Sequence, residues 1–265
     1  GALGRTVLRV DLRGHGRSAP AHDPARGAEQ YTWQELAKDL RVAARASMSR
    51  AFFGGEELGA AVALHAAVAA AASGSVDAPP GVVLMRPPAG LARGPEVPDA
   101  LDNWRQRCIA AADAVDKRGW DGVDELDNHT LGGRGILYGE RSDGDAVARC
   151  VRAMDAAVVA AALRGHAASV PPARIEALGK ERTAMADDAY GVPLSLTCPV
   201  LVLAIAGDPE HTVEDAKGLA AALPNAEVSI ADDVEVARTA WPGLINAFMK
   251  RAWMKEFLTK RVMPQ

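Results

Sequence analysis

Short apolar runs and longer helical patterns alternate along the chain. The apolar runs predict strands that are buried on both faces, since they are continuous rather than alternating with polar residues. Strand followed by helix followed by strand, at these spacings, is typical of parallel βαβ units. The predicted strands lie at 6–10, 51–53, 81–85, 198–205 and 227–230. The predicted helices lie at 31–48 (with Thr32 as N-cap), from about 58 to 72, near 213–222 and from about 242.

The middle of the chain has a different pattern. Residues 89–188 contain helical stretches at 99–117 and 145–164, separated by glycine-rich breaks, and no convincing strand. We interpret this block as a helical cap inserted into one α/β core. The predicted organisation is therefore a core at 1–88 and 189–265 with a cap at 89–188.

Composition sets limits on function. The chain has 265 residues, of which 49% are hydrophobic and 24% charged, as in ordinary globular proteins. Its formal net charge is -4, and no run of lysine or arginine stands out, so no nucleic-acid partner is expected. No segment approaches the ~18 consecutive apolar residues that suggest a bilayer span, so no membrane partner is expected either. Three cysteines, far apart and without metal-site spacing, favour a reducing, cytoplasmic compartment.

The segment that suggests chemistry is the strand, turn and helix at residues 51–66. Gly55 and Gly59 flank Glu57, the spacing of a nucleophile elbow, in which a sharp turn presents one side chain between a strand and a helix. The start of the following helix offers free amide groups, and the amide of Leu58 is a candidate oxyanion donor. Glu56 and Leu58 are therefore the candidate substrate-binding residues, and Glu57 is the first catalytic candidate.

The order of motifs along the chain resembles the α/β-hydrolase family. The resemblance implies that family's fold, a mainly parallel sheet flanked by helices with an inserted helical cap. It also implies an acid function for Asp208, which follows the next-to-last strand. The matching segments are Val10–Ser18, Tyr31–Trp33, Asp39–Leu40, the elbow, Pro199–Leu203, Gly207–His211 and Leu223–Ala226.

The sequence departs from the resemblance at two catalytic positions. The family's nucleophile is usually serine, and this chain has Glu57 there. The family's base is a histidine after the last strand, and here no histidine follows His211. A serine triad needs both the hydroxyl and the base, so ordinary triad hydrolysis is not expected. His15, in the glycine-rich turn, is the candidate substitute base. The expected histidine loop at 231–240 offers only the acids Asp232, Asp233 and Glu235.

A third departure concerns the sheet. In the family, the strand before the first one found here carries a His-Gly loop and lies between the strands predicted at 6–10 and 51–53. We therefore expect roughly 30 or more residues, one strand-loop-helix unit, to precede Gly1 in the native protein. Without that unit, the two strands must pair directly or another segment must lie between them.

Two functions are compatible with these residues. The first is a hydrolase for a small, largely apolar ester, lactone or thioester-like substrate, with Glu57 as carboxylate nucleophile and Asp208 and His15 in support. The alternative is an inactive pseudo-hydrolase that binds a ligand or acts as a scaffold. Glu57 then caps the helix through backbone amides, and an introduced substitution at this position is a third interpretation. No cofactor or metal is expected, and the oligomeric state is left open.

Three other features have simpler interpretations. His65 lies in an apolar helix and is predicted to be a core histidine. His211, among acidic residues, is predicted to be a solvated residue at a helix start. Ile245, Phe248, Trp253 and Phe257 recur at near-helical spacing and are predicted to face the core.

Overall fold

A four-stranded parallel sheet in the order β1-β2-β3-β4 organises the fold. The computed structural model describes residues 6–14, 17–18, 23–47, 50–74, 78–88, 97–124, 149, 151–168, 196–208 and 211–262. The strands are β1 (Phe53–Glu56), β2 (Val82–Met85), β3 (Val200–Ile205) and β4 (Ala226–Ala231). The helices are α1 (Trp33–Ser47), α2 (Leu58–Ala72), α3 (Val97–Asp124), α4 (Ala156–Ala168), α5 (Val213–Ala222) and α6 (Val234–Val262), preceded by a 3-10 helix at Pro24–Tyr31.

The backbone divides into two compact units. One comprises Gly1–Leu8, Leu40–Val97 and Lys180–Gln265 and contains the sheet; the other comprises Arg9–Asp39 and Pro98–Gly179. In the second unit, the described parts of α3 and α4 share an apolar cluster that includes Cys108, Val115 and Leu163. The boundaries of the cap at 89–188 stay a prediction.

The sheet is covered because its central strands are apolar on both faces. Every residue of β3 is buried, and β2 is buried except for Met85. On one side, Val83, Leu201 and Leu203 pack with Trp241 and Phe248 of α6. The alanine-rich helix α2 is buried around most of its circumference, as expected of a helix without a polar face. His65 lies within it at 4% exposure, which confirms the core histidine.

The local sequence signals predicted most elements well. Helix α5 has the predicted bounds, and the Thr32 hydroxyl accepts a hydrogen bond from the Glu35 amide at 3.4 Å, as an N-cap does. At β1 the prediction was wrong by three residues, because Gly54 and Gly55 belong to the strand and the turn is confined to Glu57.

The predicted strand at 6–10 is not a strand. These residues take no part in the described sheet, and Val7 is 81% exposed. A strand exists only where a neighbour completes its hydrogen-bond ladder, and β1 is at the edge of the sheet formed by the described residues. An apolar run alone therefore did not produce a strand.

The last helix was also predicted wrongly at its start. Helix α6 begins at Val234 and passes through Pro242, where the sequence pattern predicts its first turn. The carboxylate of Asp233 accepts a hydrogen bond of 2.8 Å from the Val236 amide and so stabilises the true start. Only Asp232 and Asp233 therefore separate β4 from α6. Of the three acids predicted to lie in a loop, these two do so, and Glu235 lies in the first turn of the helix.

The apolar residues farther along α6 were predicted to face the core. Phe248 does so, since it is 3% exposed and its ring meets that of Phe52 edge-on with centroids 6.5 Å apart. Trp253 and Phe257 are 49% and 50% exposed, so the prediction was wrong for these two residues.

Candidate functional site

The turn between β1 and α2 has the backbone geometry of an elbow. Glu57 adopts φ 53° and ψ -118°, a conformation that is strained for a residue with a side chain. Its amide donates a hydrogen bond to the carbonyl of Met85 at 3.0 Å, and its carbonyl accepts one from the Ala60 amide at 2.9 Å. These bonds, to β2 and to the first turn of α2, hold the strained conformation. The Glu57 side chain is 46% exposed.

Close backbone contact across the elbow depends on Gly55. A Cβ atom at this position would lie 2.2 Å from the carbonyl carbon and oxygen of Gly59, well inside any permitted distance. A Cβ atom at Gly59, by contrast, would meet nothing within 4 Å among the described residues. The sequence pattern treated the two glycines as equivalent, but the structure requires a missing side chain only at Gly55.

Arg86 directly follows β2 and is the central side chain of the site. It has a positive φ of 47°, and its amide donates a hydrogen bond of 2.7 Å to the carbonyl of Leu203. Its side chain is only 10% exposed. A buried guanidinium requires compensating charges and hydrogen-bond acceptors, because desolvation of an unpaired charge is very unfavourable.

Three carboxylates supply that compensation. Nη1 of Arg86 lies 2.6 Å from Oε1 of Glu57 and 3.2 Å from Oε1 of Glu56. Nε of Arg86 donates to Oδ2 of Asp208 at 2.7 Å. One guanidinium thus joins the elbow residue to Asp208, for which the resemblance predicts an acid function. We call Glu56, Glu57, Arg86, Asp208 and His211 the Arg86 cluster.

His211 completes the Arg86 cluster. Its Nδ1 atom lies 3.3 Å from Nη2 of Arg86 and 3.5 Å from Oδ1 of Asp208. Its amide donates to the same Asp208 oxygen at 3.1 Å. The residue is only 8% exposed, so the prediction of a solvated histidine was wrong. The reason is that the three-residue spacing from Asp208 turns the chain back onto that carboxylate.

Electrostatic interactions favour the charged forms of both Asp208 and Arg86. Burial alone would raise the pKa of Asp208, but hydrogen bonds from His211 and Arg86 outweigh it and hold this pKa well below its ordinary range. Burial alone would lower the pKa of Arg86, but the hydrogen bond to Asp208 and the charge of Glu57 raise it above its ordinary value. The Arg86–Asp208 pair is therefore ionised at neutral pH.

The lowered pKa of Asp208 predicts a specific dependence of stability on pH. The pKa of Asp208 is lower in the folded state than in the unfolded state, where it is about 3.9. The stabilisation by the charged carboxylate is therefore fully present above about pH 4. This stabilisation is lost as the pH falls below about 4 toward the pKa of Asp208 in the folded state. We expect the difference in unfolding free energy between the parent and Asp208→Asn to be constant from pH 5 to 7 and to shrink below about pH 4.

Urea unfolding at several pH values, followed by circular dichroism, measures that difference. Asp39→Asn is a useful control, because Asp39 also pairs with an arginine, Arg13, but is 35% exposed. A difference between parent and Asp208→Asn that stays constant from pH 7 to pH 3 would contradict the prediction.

The structure brings together three of the five predicted site residues. Glu57, Glu56 and Asp208 all contact Arg86. Leu58 is the first residue of α2, and its function as an oxyanion donor stays a prediction. His15 lies outside the described residues.

The predicted capping of α2 by the Glu57 carboxylate can be compared with the geometry. Helix α2 has no side-chain capping bond from Glu57, so the capping interpretation was wrong. The guanidinium of Arg86 attracts the carboxylate more strongly than neutral amides do. No group of three or more potential metal ligands with suitable geometry occurs among the described residues.

Sequence reasoning missed Arg86, although a signal was present. Arg86 is the first residue after the apolar run of β2. The carboxyl ends of parallel strands lie at one edge of a sheet, so residues directly after neighbouring strands come close together. Glu57 directly follows β1, Arg86 directly follows β2 and Asp208 is the third residue after β3, and their opposite charges make pairing favourable.

Solved structures similar to this chain share one fold. MenH from S. aureus matches with a TM-score of 0.62 and 18% sequence identity, covering 92% of this chain and 83% of its own. The enol-lactonase from Burkholderia xenovorans LB400 matches with a TM-score of 0.53 and 19% identity over 92% and 78% of the two chains. A thermophilic esterase from Thermogutta terrifontis has a TM-score of 0.53 and 20% identity over the same shares. No protein-family model matches the sequence, and no curated protein matches it significantly.

The chain therefore has the α/β-hydrolase fold, and the predicted fold class is confirmed. Its similar structures include hydrolases and esterases. Within the described residues, no helix combines the length and the apolar character needed to cross a membrane. Identities of 20% or less establish the fold and leave the chemistry of the site to the residues themselves.

Proposed function

We propose that this chain is a pseudo-hydrolase, an α/β-hydrolase-fold protein that binds a small, largely apolar ligand without hydrolysing it. The observation on which the proposal rests is the contact of 2.6 Å between Nη1 of Arg86 and Oε1 of Glu57. This contact places a fixed positive charge on the group that would have to act as the nucleophile. Esters, lactones and thioesters are the proposed ligand class.

The first argument concerns nucleophilicity. An ionic hydrogen bond to a guanidinium stabilises the shared negative charge of a carboxylate, so it lowers the nucleophilicity of both oxygens, although Arg86 contacts only Oε1. Breaking the contact would leave Arg86, which is only 10% exposed, with less compensation for its charge. The Arg86–Glu57 contact therefore opposes covalent catalysis by Glu57.

The second argument concerns the base. In a triad, the acid orients a histidine that takes the proton of the nucleophile or activates water. Here both oxygens of Asp208 already accept hydrogen bonds, from Nε of Arg86 and from the His211 amide. The ring of His211 contacts Arg86 and Asp208. An arginine thus occupies the connection between elbow and acid that a triad gives to histidine.

The proposed location is the cytoplasm, because Cys108 and Cys198 are both reduced. Burial raises the pKa of the Cys198 thiol to about 11, so it is protonated and unreactive at neutral pH.

A panel of short-chain chromogenic esters and one thioester tests the proposal. The parent, Glu57→Ala and Glu57→Ser are compared with Arg164→Gln, which changes an ion pair outside the site. We expect all four proteins to hydrolyse the panel at the same background rate, because Glu57 is paired with Arg86 and no base contacts it among the residues that the structure describes. In parallel, ligand-observed NMR with an ether analogue of each ester should detect binding to the parent.

Three results would contradict the proposal in different ways. Turnover by the parent that disappears in Glu57→Ala would establish Glu57 as a catalytic carboxylate. Turnover that appears only in Glu57→Ser would mean that a base and an oxyanion site are intact and that the elbow residue alone prevents hydrolysis. Failure of every analogue to bind would argue for a scaffolding function instead.

A further inference from the structure

The position of the proton on the His211 ring follows from the two groups that its Nδ1 atom faces. Nδ1 lies 3.3 Å from Nη2 of Arg86, which can only donate a hydrogen bond. It lies 3.5 Å from Oδ1 of Asp208, which is ionised and can only accept one. Without a proton, Nδ1 accepts from Arg86; with a proton, it donates to Asp208. The two contacts therefore require opposite tautomers of the ring.

The geometry favours the tautomer that accepts from Arg86. The contact of Nδ1 with Asp208 is the longer of the two, and Oδ1 of Asp208 already accepts the His211 amide at 3.1 Å. A proton on Nδ1 would also bring two donors, the ring N–H and the guanidinium of Arg86, against each other. The lone pair of Nδ1 is thus engaged by Arg86, and the ring proton lies on Nε2.

The resulting Nε2–H group is a buried donor. The His211 side chain is only 10% exposed, and among the residues that the structure describes no acceptor contacts Nε2. A buried N–H group without an acceptor is unfavourable, and such groups are rare in folded proteins. An unsatisfied donor of this kind is expected where a ligand supplies the acceptor.

His211 lies beside the elbow residue. Nη1 of Arg86 contacts Glu57, and Nη2 of the same guanidinium contacts the His211 ring. Both contacts are at the carboxyl ends of the parallel strands, where ligands bind in open α/β sheets. The unsatisfied donor is therefore part of the Arg86 cluster and not a separate feature of the core.

We propose that Nε2–H of His211 binds the carbonyl oxygen of the ligand. This inference rests on the proposed function and specifies which atom of an ester, lactone or thioester is recognised. The Arg86 cluster contains three carboxylates and one guanidinium, so a negatively charged acceptor is disfavoured and a neutral carbonyl is favoured. Because Arg86 engages the lone pair of Nδ1, His211 binds the ligand and does not act as a base.

Nuclear magnetic resonance of the ring nitrogens measures the tautomer directly. The parent is labelled with ¹⁵N-histidine and studied at mildly alkaline pH by long-range ¹H–¹⁵N correlation, and the His211 signals are assigned by their loss in His211→Gln. We expect a protonated Nε2 and an unprotonated Nδ1. A proton on Nδ1 would overturn the proposal.

Two non-hydrolysable analogues of one ester test the contact with the carbonyl. The ketone replaces the ester oxygen with a methylene group and keeps the carbonyl, whereas the ether replaces the carbonyl with a methylene group. The parent should bind the ketone about two- to tenfold more tightly than the ether, the contribution of one neutral hydrogen bond. Only the ketone should shift the Nε2 resonance of His211. In His211→Phe, the two affinities should become equal.

The matched control is Thr212→Ala, next to His211. The Thr212 hydroxyl accepts a hydrogen bond of 3.1 Å from the Asp215 amide at the start of α5, so its loss perturbs the same segment and leaves the histidine ring in place. The ratio of ketone to ether affinity should stay that of the parent, because a structural disturbance weakens both analogues alike.

The possible failures are distinguishable. A ratio that persists in His211→Phe would assign the carbonyl to another donor, such as the Leu58 amide, and overturn the proposal. Equal binding of ketone and ether to the parent would refute this proposal alone, whereas no binding of either analogue would refute the proposed function as well. The shift of the Nε2 resonance needs no variant, so it tests the contact even if His211→Phe does not fold.

Discussion

Replacing Arg86 with glutamine should destabilise the protein by about 3–5 kcal/mol, the usual cost of removing one partner of a buried ion pair. The loss is large because three carboxylates lie around the guanidinium and only 8% of the Asp208 side chain is exposed. Without Arg86, Asp208 keeps only its contacts with His211 and is a buried charge close to two like charges. Urea unfolding at pH 7 measures the change.

Arg164→Gln is the matched control for Arg86→Gln. Arg164 also contacts two carboxylates, Asp113 at 2.8 Å and Asp116 at 2.6 Å, but its side chain is 35% exposed. Solvent therefore screens the pairs, and the loss should be under about 1 kcal/mol. Similar losses of unfolding free energy in Arg86→Gln and Arg164→Gln would mean that the burial of Arg86 does not make its ion pairs more important for stability.

A double variant separates the ion pair from the packing of the long side chain. If the main loss in Arg86→Gln arises from an uncompensated Asp208, then adding Asp208→Asn should restore part of the lost stability. Simple additivity of the two losses would assign the effect to packing instead. Arg86→Lys keeps the charge without the planar fork, so it should lie between the parent and Arg86→Gln.

Local patterns in the sequence were sufficient to predict the central strands of the sheet. The apolar runs at β2 and β3 are buried on both faces and could be recognised without knowledge of their neighbours. Residues 6–10 have a similar pattern and form no strand, because a strand also depends on a partner that the pattern does not encode. The same limit explains α6, in which periodicity indicated apolar stripes but not which of them packs on the sheet.

The candidate site could be predicted only in part, because its residues are distant in the sequence. Glu57 and Asp208 were found by their place in motifs, each of which is local. Arg86 belongs to no motif, and its importance arises from the order of the strands, which brings it between these two carboxylates. A pairing of this kind becomes predictable once the topology is combined with a list of charged residues that directly follow strands.

The second large effect is expected at Gly55, where alanine should destabilise the protein by about 1–3 kcal/mol or more through steric overlap. The added Cβ would lie 2.2 Å from the carbonyl carbon and oxygen of Gly59. Both belong to the backbone, so no side-chain rotation can relieve the overlap, and β1 and α2 must separate. Because that movement also displaces Glu57, its contact with Arg86 should weaken. Thermal and urea unfolding of Gly55→Ala measure the loss.

Gly59→Ala is the natural comparison, because the two glycines flank the same residue and only one of them meets an obstruction. A Cβ at Gly59 would find open space among the described residues, and Gly59 lies in the first turn of α2. Alanine favours helices over glycine, so stability should stay unchanged or rise by up to about 1 kcal/mol. Equal losses at both positions would mean that the elbow requires glycine for backbone freedom and not for the close approach at Gly55. A loss at Gly55 alone would show that the approach of strand to helix imposes the requirement, independently of any catalytic function of the elbow.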